Sequence, residues 1–195
     1  HQEVFSEDLQ ARVKHIMNKY GLDNHRMQAH EFRRAPVRPA NAPHVRLIQL
    51  AAFLYLKPHL IDFLLLADDP EAYFSAFEQA NSLVTKNQTY YKKVSKMGKS
   101  SMESIIINSV VPFQFAYAKH NANESLEQKA ISLWQKMHAE QNRYTRLYMS
   151  HGFEISSSLE SQGAIEQHRF FCKEGRCLQC PVGNYIMKNH QIVVI

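Results

Sequence analysis

The sequence predicts an all-α fold, an irregular multi-helix array or bundle with a C-terminal cysteine-containing loop. Three observations lead to this prediction. Apolar residues recur at helical spacing along most of the chain, helix-start residues precede those segments, and neither period-two alternation nor a hairpin turn is found. With 195 residues, 45% of them hydrophobic, the chain can bury a core. We therefore expect a single helical domain over residues 1–195.

The first two predicted helices have clear boundaries. Residues 9–20 follow Ser6, which can cap a helix, and the segment stops at Gly21. The second helix opens at Asn41 and Pro43, because proline suits the first helical turn. Pro58 ends it, since proline cannot continue a helix.

The later helices begin at further start signals. Ser100 and Glu103 form a capping box before an apolar segment at 105–117. Pro112 is expected to kink that helix or divide it in two. The remaining helices are predicted to start at a capping or acidic residue: Asp69, Asn123 and Ser157 or Ser158. The last of these helices is expected to run toward Phe171.

Two irregular basic stretches, 33–46 and 85–99, separate these helices. The net charge of +5 and the pI of about 9.1 favour acidic partners, DNA or RNA first. The alternative is a modestly basic protein without such a partner. The residues predicted to contact phosphates are Arg33, Arg34, Arg38, Arg46, Lys93, Lys96 and Lys99.

All three cysteines lie in one nine-residue window, as C-x4-C-x2-C, within a knuckle at 168–184. The C-x2-C half lets Cys177 and Cys180 grip one ion, because a tight turn brings both thiolates to the same side. His168 lies four residues before Cys172, so both point to one face of a continuing helix. These four residues are the predicted ligands of a zinc ion or an iron–sulfur cluster.

Several alternatives remain open for the knuckle. The fourth ligand could instead be His151, His190 or a residue outside this chain. The thiols could also be reduced packing residues, or two could form a disulfide, although the odd count and the missing secretion signal argue against that bond. Gly183 is expected to give the loop flexibility, and Arg176 to lower the pKa of the thiols.

The remaining signals limit function rather than define it. No acid, base and nucleophile constellation can be placed, so whether the chain is an enzyme stays open. No apolar run reaches the roughly 18–20 residues of a membrane span, and no signal peptide is found, which predicts a cytoplasmic protein.

The chain begins with His1, so we expect a fragment whose partner is an upstream domain. The alternative function is a non-catalytic scaffold for an upstream catalytic half, with no nucleic-acid role and with an exposed apolar patch.

Three blocks carry a family resemblance: RPANAPHVRLIQLAAFLY, KMGKSSMESIIINSVVPFQFAYAKH and ESQGAIEQHRFFCKEGRCLQCPVGN. They resemble an uncharacterised bacterial family known as domain of unknown function 2851. The resemblance implies that this chain corresponds to the C-terminal half of that family, and it implies no substrate or catalytic residue. The segment HRFFCKEGRCLQCPVG also resembles in part the iron–sulfur loop of helix-hairpin-helix DNA glycosylases. It lacks that loop's fourth cysteine, so this resemblance implies DNA binding rather than glycosylase activity.

Overall fold

The computed structural model shows an all-α protein. It describes residues 7–25, 27–28, 30–31, 42–86 and 94–189. Within those ranges there is no β-strand, and the β-bridge between His138 and Ser157 is isolated. The predicted fold class, an all-α multi-helix array, is therefore confirmed; the cysteine-containing loop is followed by a further helix at Pro181–Asn189.

Ten α-helices lie in the described residues. In chain order they are α1 (Glu7–Tyr20), α2 (Pro43–Leu56), α3 (Leu60–Leu66), α4 (Pro70–Lys86), α5 (Lys99–Ile105), α6 (Val111–His120), α7 (Glu124–Lys136), α8 (Arg143–Ser150), α9 (Ser158–Gln167) and α10 (Pro181–Asn189). A first π turn at Ile106–Val110 joins α5 to α6, and a second at His168–Cys172 extends α9. The sequence does not predict α3, α8 and α10, because helices of seven to nine residues show barely two turns of periodicity.

No single helix in the described ranges is long and apolar enough to cross a membrane. Only α2 and α3 taken together reach that length and composition, and a bend separates them.

The chain divides into two compact units. Unit 1 comprises residues 1–58 and 76–97, and unit 2 comprises residues 59–75 and 98–195. The helix α4 begins in unit 2 and continues in unit 1. The expectation of a single domain over residues 1–195 stays a prediction.

The core of unit 1 forms between α2 and the C-terminal part of α4. The rings of Phe53 and Phe77 stack with their centroids 4.8 Å apart, and both side chains are buried. The other buried apolar residues of the unit are Val45, Ala52, Ala76, Ala80, Val84 and Val94. Burial of this apolar surface is the main stabilising contribution in unit 1.

Two buried amides hold the segment that follows α4. Gln49 Nε2 donates to the carbonyl of Ser95 at 2.8 Å. Asn81 accepts from the backbone N–H of Met97 at 2.7 Å and donates to its carbonyl at 3.0 Å. Both amides are buried, and these bonds offset the cost of their desolvation. The backbone is thus fixed on both sides of Lys96, whose side chain is exposed.

The helices α1 and α2 also leave apolar side chains in solvent. These residues have the predicted helical spacing, yet they lie outside the core: Val13, Ile16 and Tyr20 on α1, and Leu47, Leu50 and Leu54 on α2. Val13 and Ile16 are each 49% exposed, and Leu50 is 50% exposed. The predicted caps of these helices, Ser6 and Asn41, lie outside the described residues.

Unit 2 holds the larger core. The helix α6 packs against α7, and α9 packs against both α7 and α8. The buried apolar residues contributed by these helices and by the first π turn include Ile106, Val110, Val111, Ala118, Leu126, Ala130, Leu133 and Ala164. On α7 the buried residues are Leu126, Ala130 and Leu133, which recur at helical spacing.

The helix that contains Pro112 is divided into α5 and α6 by the first π turn, and the structure shows how the hydrogen bond that proline removes is replaced. In the first π turn the N–H of Val111 donates to the carbonyl of Ile106, five residues earlier. The same pattern would pair the carbonyl of Ile107 with residue 112, but proline has no N–H. The indole of Trp134 on α7 donates to that carbonyl instead, at 3.0 Å.

The predicted helix caps have mixed outcomes. Asn123 accepts from the backbone of α7 at 3.0 Å, and Ser157 forms a full capping box with Glu160 at the start of α9. The capping box predicted at Ser100 is wrong. The N-cap of α5 is Gly98, two residues before Ser100, and no side chain caps the helix.

Candidate metal centre

The four predicted metal ligands line a single cavity in unit 2, with a volume of about 430 Å³. They are Cys172, Cys177, Cys180 and His168. Residues of α8, α9, the second π turn, the following loop and α10 surround this cavity. Its walls are mostly apolar and include Leu147, Phe153 and Phe171. We call it the thiol cavity.

The second π turn presents two of these residues to the cavity. The N–H of Lys173 donates to the carbonyl of His168 at 2.8 Å, five residues earlier. In such a turn a residue four positions later lies about one turn further on. His168 and Cys172 therefore share a side of the turn, as the sequence predicts for a continuing helix.

His168 carries an unsatisfied polar atom. Its Nδ1 is buried and has no hydrogen-bond partner among the described residues. The ring packs against Tyr144 with centroids 4.6 Å apart. A buried nitrogen without a partner costs about 1–3 kcal/mol, and a bound ligand would remove that cost.

His151 also lines the thiol cavity, but its Nδ1 is already engaged. That atom lies 2.9 Å from the carbonyl oxygen of Leu147 and 3.3 Å from the hydroxyl of Ser150. Such a bond leaves Nε2 as the ring nitrogen available to a ligand, so His151 remains the competing histidine. His190 lies outside the described residues.

Cys180 is buried immediately before α10. The backbone N–H of Gly183 and the side chain of Gln167 donate to its sulfur, the latter at 3.4 Å. The N–H of Gly183 is the larger of these two influences, and together they hold the pKa of the Cys180 thiol below its ordinary value. The sequence predicts that Arg176 has this effect, whereas the backbone at the start of α10 and the side chain of Gln167 at the end of α9 supply it. A lowered pKa is expected for a thiol at a helix N-terminus.

Gly183 allows the cysteine loop to approach α10 closely. A Cβ atom at this position would overlap the carbonyl oxygen of Cys177 and would lie 3.1 Å from its carbonyl carbon. Gly183 belongs to the first turn of α10. Its role is therefore close packing within a helix, not the loop flexibility expected from the sequence.

Tyr148 of α8 also lies beside the thiols, and nothing in the sequence predicts this. Its hydroxyl lies 3.9 Å from Cys172 Sγ, and its ring packs edge-on against Phe153. Burial, followed by the contact with Cys172, raises the pKa of Tyr148 to about 12. The tyrosine is thus a neutral hydroxyl beside the sulfur at neutral pH.

The thiols do not converge on one point. Among the described residues, no three His, Cys, Asp or Glu side chains are arranged to hold one metal ion. The four predicted ligands instead surround an open space. A zinc ion or iron–sulfur cluster at this position stays a prediction.

The predicted phosphate-contact residues are only partly described. Arg33, Arg34, Arg38 and Lys93 lie outside the described residues. In unit 1, Arg46 donates to Gln49 of its own helix at 3.0 Å, and Lys96 is exposed. In unit 2, Lys99 is exposed at the start of α5, with its ammonium 5.8 Å from the ring centroid of Phe74.

Fold and site together define an all-α protein with a cysteine-lined cavity near its C-terminus. Residues 1–143 match the family described as Protein of unknown function (DUF2851), and the chain belongs to that family. No curated protein and no solved structure shows a significant match. The cysteines lie beyond the matched range, so the family match does not bear on them. It supports neither the placement in the family's C-terminal half nor the similarity to the glycosylase loop.

Proposed function

We propose that unit 2 carries a thiolate metal centre, zinc or iron–sulfur, within a helical module that binds nucleic acid. One observation carries the metal assignment. Three cysteines and a histidine with an unpartnered buried nitrogen line the same cavity. Thiolate and imidazole are the ligands of structural zinc and of iron–sulfur clusters. The centre would link the second π turn to the cysteine loop that precedes α10.

Hydrogen bonds to the sulfurs support the proposal. Thiolate ligands must lose their protons before they bind. The N–H of Gly183 and the amide of Gln167 donate to Cys180, and the hydroxyl of Tyr148 lies beside Cys172. Such outer contacts orient a ligand and stabilise its charge.

Elemental analysis tests the metal centre. The chain is produced with both iron and zinc in the medium and purified without a metal-affinity step, in air and anaerobically. We expect a stoichiometric amount of zinc or iron in the wild-type protein and its loss in Cys172→Ser, Cys177→Ser and Cys180→Ser. Metal at buffer level in both preparations would overturn the proposal.

Binding of nucleic acid is the function proposed for the surface of the helical module. It is supported by the net charge of +5 and by the exposed side chains of Lys96 and Lys99. Electrostatic binding of this kind weakens steeply as salt is added. Binding that is absent at low salt would contradict it.

A second candidate function is the partner-binding scaffold. The observation that favours it is the set of exposed apolar residues on α2, Leu47, Leu50 and Leu54, because exposed apolar clusters mark interaction surfaces. We expect Leu47→Glu with Leu50→Glu to keep the helical circular dichroism and to abolish concentration-dependent association in sedimentation velocity. A wild-type chain that stays monomeric at every concentration would count against self-association through this face.

A further inference from the structure

The C-x2-C half of the cysteine loop forms a closed turn. The N–H of Cys180 donates to the carbonyl of Cys177 at 3.3 Å and to that of Arg176 at 3.1 Å. A turn closed by a hydrogen bond between its first and fourth residues brings their Cα atoms within about 7 Å. Disulfide bonds in proteins join Cα atoms about 4.4–6.8 Å apart. The backbone therefore places Cys177 and Cys180 at a separation that a disulfide bond can span.

Two contacts with α10 hold this turn in place. Asn184 Nδ2 donates at 2.8 Å to the carbonyl of Leu178, which lies between the two cysteines. Gly183 lies so close to Cys177 that a Cβ atom on the glycine would overlap the carbonyl oxygen of the cysteine. Because the backbone of the turn is already ordered, closing a bond between its ends costs little further conformational entropy.

The two thiols of the turn differ in exposure. Cys177 is exposed, whereas Cys180 is only 4% exposed. The N–H of Gly183 and the side chain of Gln167 donate to the sulfur of Cys180 and orient it. An exposed thiol can meet a dissolved reagent, and a buried neighbour can then attack the resulting adduct from within the protein. Thiol–disulfide exchange uses this arrangement, because the reaction passes through a mixed disulfide.

We propose that Cys177 and Cys180 are a redox-active dithiol that exchanges with low-molecular-weight disulfides such as oxidised glutathione. The thiolate of Cys177 attacks one sulfur of the small disulfide, whose S–S bond breaks and releases one small thiolate. The thiolate of Cys180 then attacks the sulfur of Cys177, and the second small thiolate leaves. The dithiol loses two electrons and two protons, and the small disulfide becomes two thiols. The inference goes beyond the proposed metal centre and does not depend on it.

Cys172 is the thiol left out of this pair. It is exposed like Cys177, so a reaction governed by exposure alone would include it. It lies instead on the second π turn, and its sulfur lies 3.9 Å from the hydroxyl of Tyr148. Trypsin cleaves after Lys173 and Arg176, so Cys172 and the C-x2-C pair fall on different peptides and can be assigned separately.

The test uses the full chain, reduced, with a chelator present and oxygen excluded, in buffers with increasing ratios of oxidised to reduced glutathione. Free thiols are alkylated, and the tryptic peptides are analysed by mass spectrometry. We expect one internal bond, between Cys177 and Cys180, which excess reduced glutathione reverses. A bond to Cys172, a glutathione adduct that persists on Cys177, or three free thiols at every ratio would overturn the inference. Each of these results leaves the metal centre to the elemental analysis of the untreated chain.

Variants test the order of the two steps. Cys180→Ser is expected to trap the glutathione adduct on Cys177, and Cys177→Ser is expected to form no internal bond. Leu178→Ser is the matched control, because this exposed side chain lies in the same turn, and it should keep the wild-type bond. If the buried substitution at Cys180 unfolds the chain, as circular dichroism would show, the exposed Cys177→Ser carries the test. An internal bond formed by Cys177→Ser at the wild-type glutathione ratio would overturn the pairing.

Discussion

A Cβ atom on Gly183 would overlap the carbonyl oxygen of Cys177. The first turn of α10 and the C-x2-C loop are therefore in direct backbone contact. The approach places the N–H of Gly183 against the sulfur of Cys180. Gly183 therefore allows both the close packing of the cysteine loop on α10 and a backbone hydrogen bond to the sulfur of Cys180.

We expect Gly183→Ala to lower the free energy of unfolding by about 1–3 kcal/mol, the usual cost of forcing an atom into a packed site. The measurement is urea denaturation of the protein as purified. Gly163→Ala is the matched control, since Gly163 is also helical but a Cβ there meets nothing within 4 Å. That variant should gain about 0.5–1 kcal/mol, as alanine is the better helix former. Equal effects of the two substitutions would show that the close approach does not constrain the loop.

Gln114 supplies hydrogen bonds to carbonyl groups at the C-terminal end of α3. Its Nε2 lies 2.6 Å from the carbonyl oxygen of Leu64 and 3.0 Å from that of Ala67, and the hydroxyl of Tyr73 lies within reach of both. Because that hydroxyl has one proton, it can serve only one carbonyl at a time. Gln114→Met should therefore lower the free energy of unfolding by about 1–3 kcal/mol.

The control for Gln114 is Gln128→Met, an exposed position on α7. Surface substitutions of this kind usually change stability by less than about 0.5 kcal/mol. Both variants are measured by urea denaturation at one pH. Loss of stability in the control alone would contradict the role of Gln114.

Glu160 makes the stability of α9 sensitive to acid. Its carboxylate accepts from the N–H of Ser156 at 2.7 Å and of Ser157 at 3.1 Å, and these bonds lower its pKa from an ordinary value near 4.5. Since the folded pKa is the lower one, the stabilisation is present above pH 4.5 and is lost as the pH falls through the folded pKa.

We expect Glu160→Gln to be less stable than wild type at neutral pH and to converge on it in acid. The free energy of unfolding is measured across the acid range. Glu154→Gln is the control, an exposed carboxylate in the segment before α9. A constant difference between Glu160→Gln and wild type at every pH would show that the charge of Glu160 does not contribute.

Nucleic-acid binding is predicted to depend on the basic residues around α5. We expect fluorescence anisotropy with a short labelled duplex to show binding at low salt that weakens linearly on a log–log plot. Lys96→Glu with Lys99→Glu should weaken binding and reduce the salt slope by about one for each lost phosphate contact.

Lys14→Glu with Lys188→Glu makes the same change in net charge on exposed residues elsewhere. If it weakens binding equally, overall charge rather than the predicted residues is responsible. Absence of binding by the wild-type chain would leave the scaffold function in its place.

The sequence by itself determined the all-α class and the boundaries of several helices, because capping, proline and apolar periodicity act within a few residues. Asn123 and Ser157 show this, since each caps the helix predicted after it. Ser100 shows the limit of such signals: Gly98 and Ser100 both suit the start of α5, and the observed helix begins after Gly98.

The thiol window was visible in the sequence, whereas its surroundings were decided by the tertiary structure. Tyr148 of α8 lines the same cavity as the cysteines, although α9 separates them along the chain. No local pattern encodes that distance, because packing between helices depends on the whole shape of their faces. Gly183 is similar: its closeness to Cys177 appears only when α10 forms. The tertiary structure also left the apolar residues of α1 and α2 in solvent, since periodicity identifies an apolar face but not what covers it.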